Sequence, residues 1–458
     1  MKTRTALALG LPNLARVGRY RLGLRFGVHP VQDVRAEVAR APFFKPVNST
    51  VEAVTPNAWR SEALYFGWFR VELPNGRCPD WHANPFQPGA RLDAIKPWWE
   101  LSDFDPRVGD IKTVWEGSRM DWVLAMAQRA AAGDQDELDR LNQWVADWCE
   151  HNAPYFGPNW KCGQEASIRV IHLAMAAFIL GQVAAPEQGL LELVAVHLRR
   201  IKPAINYAIA QDNNHGTSEA AALFIGGSWL RKLGRPAGAE WESLGRKWLE
   251  DRVARLIEDD GSFSQYSLNY HRVVLDTLSA VEIWRRHLDL PALSTVWRNR
   301  AAQAARWLFA MTSAETGDAP NIGANDGARL LPLTDTDYRD YRPSVQLGMV
   351  LFNNSLAYVE DGEWNLPSRW LGLELPKTKA DNVSSRLFDR GGYALLRRGN
   401  VMAVMRYPRF RFRPGHADAL HLDLWLSGEN LLRDGGSYSY NSEAEWMSYF
   451  PGTASHNT

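Results

Sequence analysis

The feature that most constrains this chain is a change of hydrophobic period near residue 385. Before it, apolar residues recur at three- and four-residue steps, as in Glu165–Leu180 (EASIRVIHLAMAAFIL), the mark of an amphipathic or buried helix. After it they alternate. Tyr393–Arg397, Val401–Arg406 and Leu420–Trp425 read as strands, punctuated by Gly391-Gly392, Gly399-Asn400 and Ser427–Asn430 as hairpin turns. The expected class is therefore multidomain α+β, helices first and an antiparallel sheet after them.

Helices are expected near 118–151, 164–183, 187–210, 216–233, 238–258, 267–289, 294–313 and 343–359. Gly157-Pro158, Gly234-Arg235-Pro236 and Asp259-Asp260-Gly261 are breaks between them. Short connections between consecutive helices imply antiparallel pairs. Three regions follow: an irregular or helical segment 1–105, a helical domain 106–380 and a β domain 381–458. The β region reaches Thr458 before two full sheets could be laid down, so the expectation is a sandwich cut short.

Charge excludes some functions. With 52 basic and 52 acidic residues there is no global field for a polyanion, which argues against a dedicated nucleic-acid binder. An acidic ligand would need a local cluster. Cys78, Cys149 and Cys162 form neither a disulfide framework nor a metal-binding pair. The apolar run Ala6–Leu11 stops at Pro12, short for a signal peptide. Arg16, Arg19, Arg21 and Arg25 then lie on a basic amphipathic stretch, read as a packed or solvated helix rather than a membrane-surface one. No apolar run reaches the roughly 20 residues of a membrane span, so membrane association is not expected.

Four segments concentrate chemistry-bearing side chains. Gln211–Gly216 (QDNNHG) places amides and an imidazole between two helices, more than a helix cap needs. Asp259–Arg272 carries Tyr266 and Tyr270 four residues apart, with His271 and Arg272 beside them. A phenol, with an ordinary pKa of about 10, takes up and returns protons only when its surroundings tune it; two core tyrosines are the bland alternative. Arg411–His421 and Arg433–Asn441, with the terminal Ser455–Thr458, bring His416, Asp434 and His456 to loops of one β domain, a possible zinc set by residue type.

Taken in order, these blocks resemble the heparinase II/III-like polysaccharide lyase family. The resemblance rests on Asp110-Ile111-Lys112 with Trp115, Glu116 and Arg119; on Gly157–Trp160 with Glu165 and Arg169; and on Asn213-Asn214-His215. It continues through Asp260–Phe263 with Asn269–Arg272, Asn325-Asp326-Gly327, His416–Leu420, Asp434–Tyr440 and His456-Asn457-Thr458. It spans roughly residues 105–458.

The resemblance implies an α/α toroid followed by a β-sandwich, and β-elimination on a uronate-containing polysaccharide. A base removes the C5 proton, a neutralised carboxylate lets charge spread, and an acid protonates the departing oxygen. By position it implies Asn214 as the carboxylate-neutralising amide, His215 as its catalytic neighbour, and Tyr270 as acid and, for one substrate geometry, base. His271 is a further catalytic candidate. Arg119, Glu165, Arg169, Arg413 and Tyr438 are expected to line the substrate groove, and His416, Asp434 and His456 to hold one structural zinc ion, with no organic cofactor. Several family members carry H-x-H at the third block, where this chain has Pro414 before His416. Two assignments stay open: His215, His271 or Arg413 supplies the missing cation, or His416 serves catalysis and no zinc binds. The implied partner is an acidic polysaccharide, with heparan-type, alginate-type and bacterial exopolysaccharide uronates all open. The family setting implies a periplasmic or envelope-facing location, otherwise cytoplasmic. A glycoside hydrolase using Asp260, Asp326 or Glu165, and a non-catalytic glycan-binding or assembly protein, are the competing readings.

Overall fold

The computed structural model describes residues 2–47, 50–412 and 414–458. Two compact units share the chain: one has the first ten residues, Asp212–Asn214 and Glu250–Thr458, the other Leu11–Gln211 and His215–Leu249.

Helix α1 (Lys2–Arg25) contains Gly10 in a non-helical conformation two residues before Pro12. Two antiparallel pairs follow: β1 (Glu62–Tyr65) with β2 (Phe69–Glu72), and β3 (Phe104–Asp105) with β4 (Gly109–Asp110). The stretch 1–105, expected to be irregular or helical, holds helix α1 and the β1–β2 hairpin. The helices α2 (Lys112–Ser118), α3 (Asp121–Ala131), α4 (Gln135–His151), α5 (Gly163–Ile179), α6 (Gln188–Ile201), α7 (Ile205–Ala210) and α8 (Asn214–Lys232) come next. The single helix expected over 118–151 is two, because Gly133 takes φ 106 and Asp134 caps α4 by accepting from the Glu137 amide. Likewise 187–210 is split at Pro203, which cannot donate the amide a continuous helix requires. Trp122, Trp144, Trp148, Trp160 and Trp229 are fully buried in the unit that holds these helices. Truncating one to alanine would cost about 3–5 kcal/mol, so the tryptophan load is mostly core.

The remaining helices are α9 (Ala237–Leu256), α10 (Leu268–His287), α11 (Thr295–Met311), α12 (Arg342–Asn353), α13 (Leu366–Trp370) and α14 (Ala444–Tyr449). The side chains of Ser267 and Ser294 cap α10 and α11. Five strands form one antiparallel sheet in chain order: β5 (Arg386–Phe388), β6 (Tyr393–Arg398), β7 (Val401–Arg406), β8 (Leu422–Leu426) and β9 (Glu429–Leu432). Strand alternation sends Phe388, Tyr393, Leu395, Met402, Val404 and Trp425 into one core with Trp307, Leu308 and Met311 of α11 and Val345 and Met349 of α12. The opposite face carries Leu387, Leu396, Val401, Met405 and Leu426, all exposed. All three cysteines are free thiols. Among the described residues, no helix is long and apolar enough to cross a membrane.

Candidate active site and metal centre

The start of α10 collects the first group of site residues. Asp212 sits in a left-handed conformation (φ 48) just before α8, and is buried. It is held there by Arg255 through two hydrogen bonds of 2.8 and 2.9 Å, and by Arg252 at 2.8 Å. Two residues on, the Asn214 amide donates to Gln265 Oε1 at 2.8 Å, which ties this loop to the segment leading into α10. Gly323 closes the arrangement: at φ 79, a side chain there would run into the Tyr266 carbonyl and Ser267. That close approach brings the 321–328 segment against the helix start, where Ser267 Oγ donates to the Ala324 carbonyl at 2.5 Å.

Tyr270, on the first turn of α10, is 6% exposed. Its hydroxyl meets the Asp326 carboxylate, and the Tyr440 ring lies 6.5 Å from its own, centroid to centroid. Burial first, then the Asp326 charge and the contact with Tyr440, push its pKa well above the ordinary value near 10. Next to it, Asn269 Oδ1 accepts from the Tyr338 hydroxyl at 2.7 Å and from Arg272 at 3.0 Å. Its Nδ2 is buried without a protein partner. Arg272 itself lies over the rings of Tyr338 and Tyr341.

The second group lies on the loops around the sheet. His416, Asp434 and His456 place one donor atom each within 4.8 Å of one another. His456 Nδ1 meets Asp434 Oδ2 at 3.0 Å, and His416 Nε2 lies 3.4 Å from Ser437 Oγ. His416 Nδ1 and His456 Nε2 are buried with no hydrogen-bond partner. Leaving such atoms unpaired costs about 1–3 kcal/mol each. Two imidazoles and a carboxylate are an ordinary zinc donor set, and each side chain offers one donor atom to a shared position, so these residues fit the metal that their sequence pattern suggested. Burial lowers the His416 pKa to about 4, against the pull of Asp434. For His456 burial also lowers it, but the Asp434 hydrogen bond and charge outweigh burial and the net shift is upward.

Comparison with known proteins gives the family and the fold. The family model described as Heparinase II/III N-terminus matches residues 47–312, and the one described as Heparinase II/III-like, C-terminal matches residues 380–458. The chain belongs to the heparinase II/III-like family. A search of curated proteins gives no match. Among solved structures, heparinase III aligns with a TM-score of 0.57 at 15% identity, over 98% of this chain and 69% of that one. The heparan sulfate lyase HepC from Pedobacter heparinus aligns with a TM-score of 0.47 at 15% identity, over 98% and 68%. The likeness to heparinase III assigns the fold: a helical toroid followed by the β-sandwich domain to which the five-stranded sheet belongs.

Other residues singled out from the family pattern fall elsewhere. Glu165 accepts from Arg119 at 2.9 and 3.0 Å, and Arg119 also bonds Glu116; all three are buried. Arg169 is 0% exposed, donates to His197 Nε2 at 2.8 Å and to the Asn159 carbonyl at 2.7 Å, and stacks on Trp148 and Trp160. These contacts engage Arg119, Glu165 and Arg169 in the helical packing. His271 is turned from Tyr270 into the core, stacked on Trp307 with Nε2 2.9 Å from the Ala304 carbonyl. Burial lowers its pKa to about 4, so it sits there neutral. His215 is half-buried on α8, with Nδ1 3.9 Å from Glu219 Oε1. Tyr438 is 60% exposed and packs on Trp446 and Phe450. Arg413 lies outside the described residues. Pro414, at the departure from H-x-H, is exposed. Two residues that the family pattern contained without a role, Asp326 and Tyr440, are the ones that meet Tyr270. The signal for them was the Asn-Asp-Gly turn and the alternating Tyr-Ser-Tyr.

Proposed function

We propose that this protein is a polysaccharide lyase that cleaves a uronate-containing polymer by β-elimination, leaving an unsaturated uronate at the new end. The observation that carries this reading is Tyr270 itself: a buried phenol on a capped helix start, against Asp326, in a member of the heparinase II/III-like family. In this reading the Asn214 amide neutralises the substrate carboxylate, so that the C5 proton becomes acidic enough to remove. The Tyr270 phenol, kept protonated by its surroundings, delivers a proton to the departing O4. His215 is the candidate base for C5. His416, Asp434 and His456 would hold a zinc ion that ties three loops of the β domain together.

The hydrolase alternative needs two opposed carboxylates. Glu165 is bound up with Arg119, and Asp260 caps its own turn through Ser262 and accepts from the Arg390 amide at 2.9 Å. Neither is placed as a free acid or base. The substrates in view are heparan-type and other uronate polymers.

The test is near-ultraviolet absorbance growth on a panel of uronate polymers, with Tyr270→Phe alongside. Elimination predicts absorbance that falls by about 10²–10⁴-fold in the variant. Reducing ends without absorbance would mean hydrolysis. Neither signal from folded protein would point to glycan binding or assembly.

A further inference from the structure

In the elimination reading Asp326 has so far only met Tyr270, with no part of its own in the chemistry. Its surroundings fix it firmly. The Asn325 amide donates to Ser437 Oγ at 3.1 Å, and Asn325 Nδ2 to Asn321 Oδ1 at 2.8 Å. The Gly327 amide returns to Asn325 Oδ1 at 3.0 Å, which also accepts from the Tyr338 hydroxyl at 2.6 Å. The Ala328 amide donates to Asp326 Oδ1 at 3.3 Å. Gly323 lets this segment lie directly against the Tyr266 carbonyl. The carboxylate is therefore carried on a turn anchored from several sides. It meets a phenol carried on a helix whose first turn is capped by Ser267. Both partners sit on rigid supports, which is what precise aim of a proton-transferring group requires.

We infer that Asp326 is a positioning residue for Tyr270: it accepts the phenol's hydrogen bond, aims the phenol oxygen, and commits Tyr270 to the acid half of the elimination. This rests on the lyase reading above. The titratable groups facing the Tyr270 hydroxyl are Asp326, from the 325–328 turn, and Tyr440, from the segment after Asp434. On its own helix, His271 and Arg272 point to Trp307 and to Tyr338 and Tyr341. An anion and a second phenol surround the proton, and a group so placed gives up its proton only to a strongly basic acceptor. The departing O4 becomes one as the C4–O4 bond breaks and its electron pair moves onto oxygen. The phenol proton then goes to O4, the C5 proton goes to a separate base, and the C5–H electron pair forms the new C4–C5 double bond. Tyr270 regains a proton from solvent after product leaves.

Asp326→Asn is a clean probe, because the amide keeps the Oδ1 acceptor used by Ala328 while removing the charge. Two readouts on the full chain test it. The first is the Cζ resonance of Tyr270 in protein labelled with ¹³Cζ-tyrosine, assigned with Tyr270→Phe and followed against pH. The second is the pH profile of kcat on whichever uronate polymer the wild type degrades. The Asp326→Asn variant should keep its melting temperature and a little-changed KM. It should lose about 10²-fold in kcat, and shift both the Tyr270 titration and the high-pH limb downward by about one unit or more. Asp326→Glu should restore part of the loss. A Tyr270 resonance and high-pH limb indifferent to Asp326→Asn would overturn the inference, even if kcat fell. Absorbance growth absent for wild type, with the Tyr270 resonance still responding to Asp326→Asn, would overturn the lyase reading and the catalytic purpose of the pair, leaving only the hydrogen bond.

Discussion

Arg169 and the His416–His456 pair are both buried polar groups picked from the same family pattern, yet they are opposites. Arg169 spends its donors on His197 and on backbone carbonyls, between two indole faces. The two imidazoles each keep one buried nitrogen with no protein partner. The lesson is that an unpaired buried nitrogen points to a ligand only where other donors converge on it: His271 Nδ1 is also unpaired, but it lies stacked on Trp307 with no carboxylate or second imidazole grouped with it.

The largest effect expected from that contrast is structural. Arg169→Leu would strand the Asn159 carbonyl and the His197 ring in the helical core, and should cost about 3–5 kcal/mol. Chemical denaturation would read this directly. A loss below about 1 kcal/mol would show that Arg169 is dispensable to packing, and would return it to the list of substrate contacts.

Glu219 sharpens the comparison, because it is a buried acid in the helical unit whose Oε2 has no partner. Burial raises its pKa from 4.5 to about 8, with Arg200 working against the rise. The folded state thus holds a proton that the unfolded chain gives up at a lower pH. Its contribution to stability is full below pH 4.5 and drains away as pH rises to about 8. Glu219→Gln should flatten the stability profile over that window by about 4–5 kcal/mol. An unchanged slope between pH 5 and 8 would mean that Glu219 is ionised in the folded protein.

Much of this was legible in the sequence, and the reason it stopped where it did is physical. Helix positions followed from the three- and four-residue period, and strands β6, β7 and β8 from alternation, because both patterns record burial along a single element. The split of 118–151 was hidden because Gly133 lies in a helix-like run, and only its φ of 106 reveals the break. The metal-capable trio was readable by type, since His416, Asp434 and His456 converge as that pattern implied. Residue type alone could not show that Glu165 pairs with Arg119 or that Arg169 bonds His197 between two indoles. Nor could it see that Asp326 and Tyr440 meet Tyr270 across large sequence separations. Those facts depend on which partners tertiary packing supplies.

The orphaned imidazole nitrogens give a smaller, separable effect. Zinc added to metal-stripped protein at about 100 times its dissociation constant should stabilise the fold by about 2.7 kcal/mol, seen as a rise in melting temperature. Asp434→Ala and His456→Ala should abolish that rise. Manganese or magnesium should do little at a site rich in imidazole. Stabilisation that survived loss of His456 would place the ion elsewhere.

The smallest effect tests the comparison at the protein's other kind of unsatisfied surface. Across the outer face of the sheet, Leu396 pairs through Ala403 with Leu424 and Leu432, and Val401 with Leu426. Leu396 is 64% exposed and Leu387 66%. An exposed apolar row lacks contacts just as an orphaned nitrogen lacks a hydrogen bond, but it is already paid for in the folded state. Replacing it changes what the surface attracts far more than it changes stability. Leu396→Lys should therefore leave the melting temperature nearly unmoved, within about 0.5 kcal/mol, while reducing concentration-dependent association measured by light scattering. A fall in stability of several kcal/mol would mean that this face is covered in the folded protein, and the contrast between filled and unfilled contacts would have to be redrawn around the sheet.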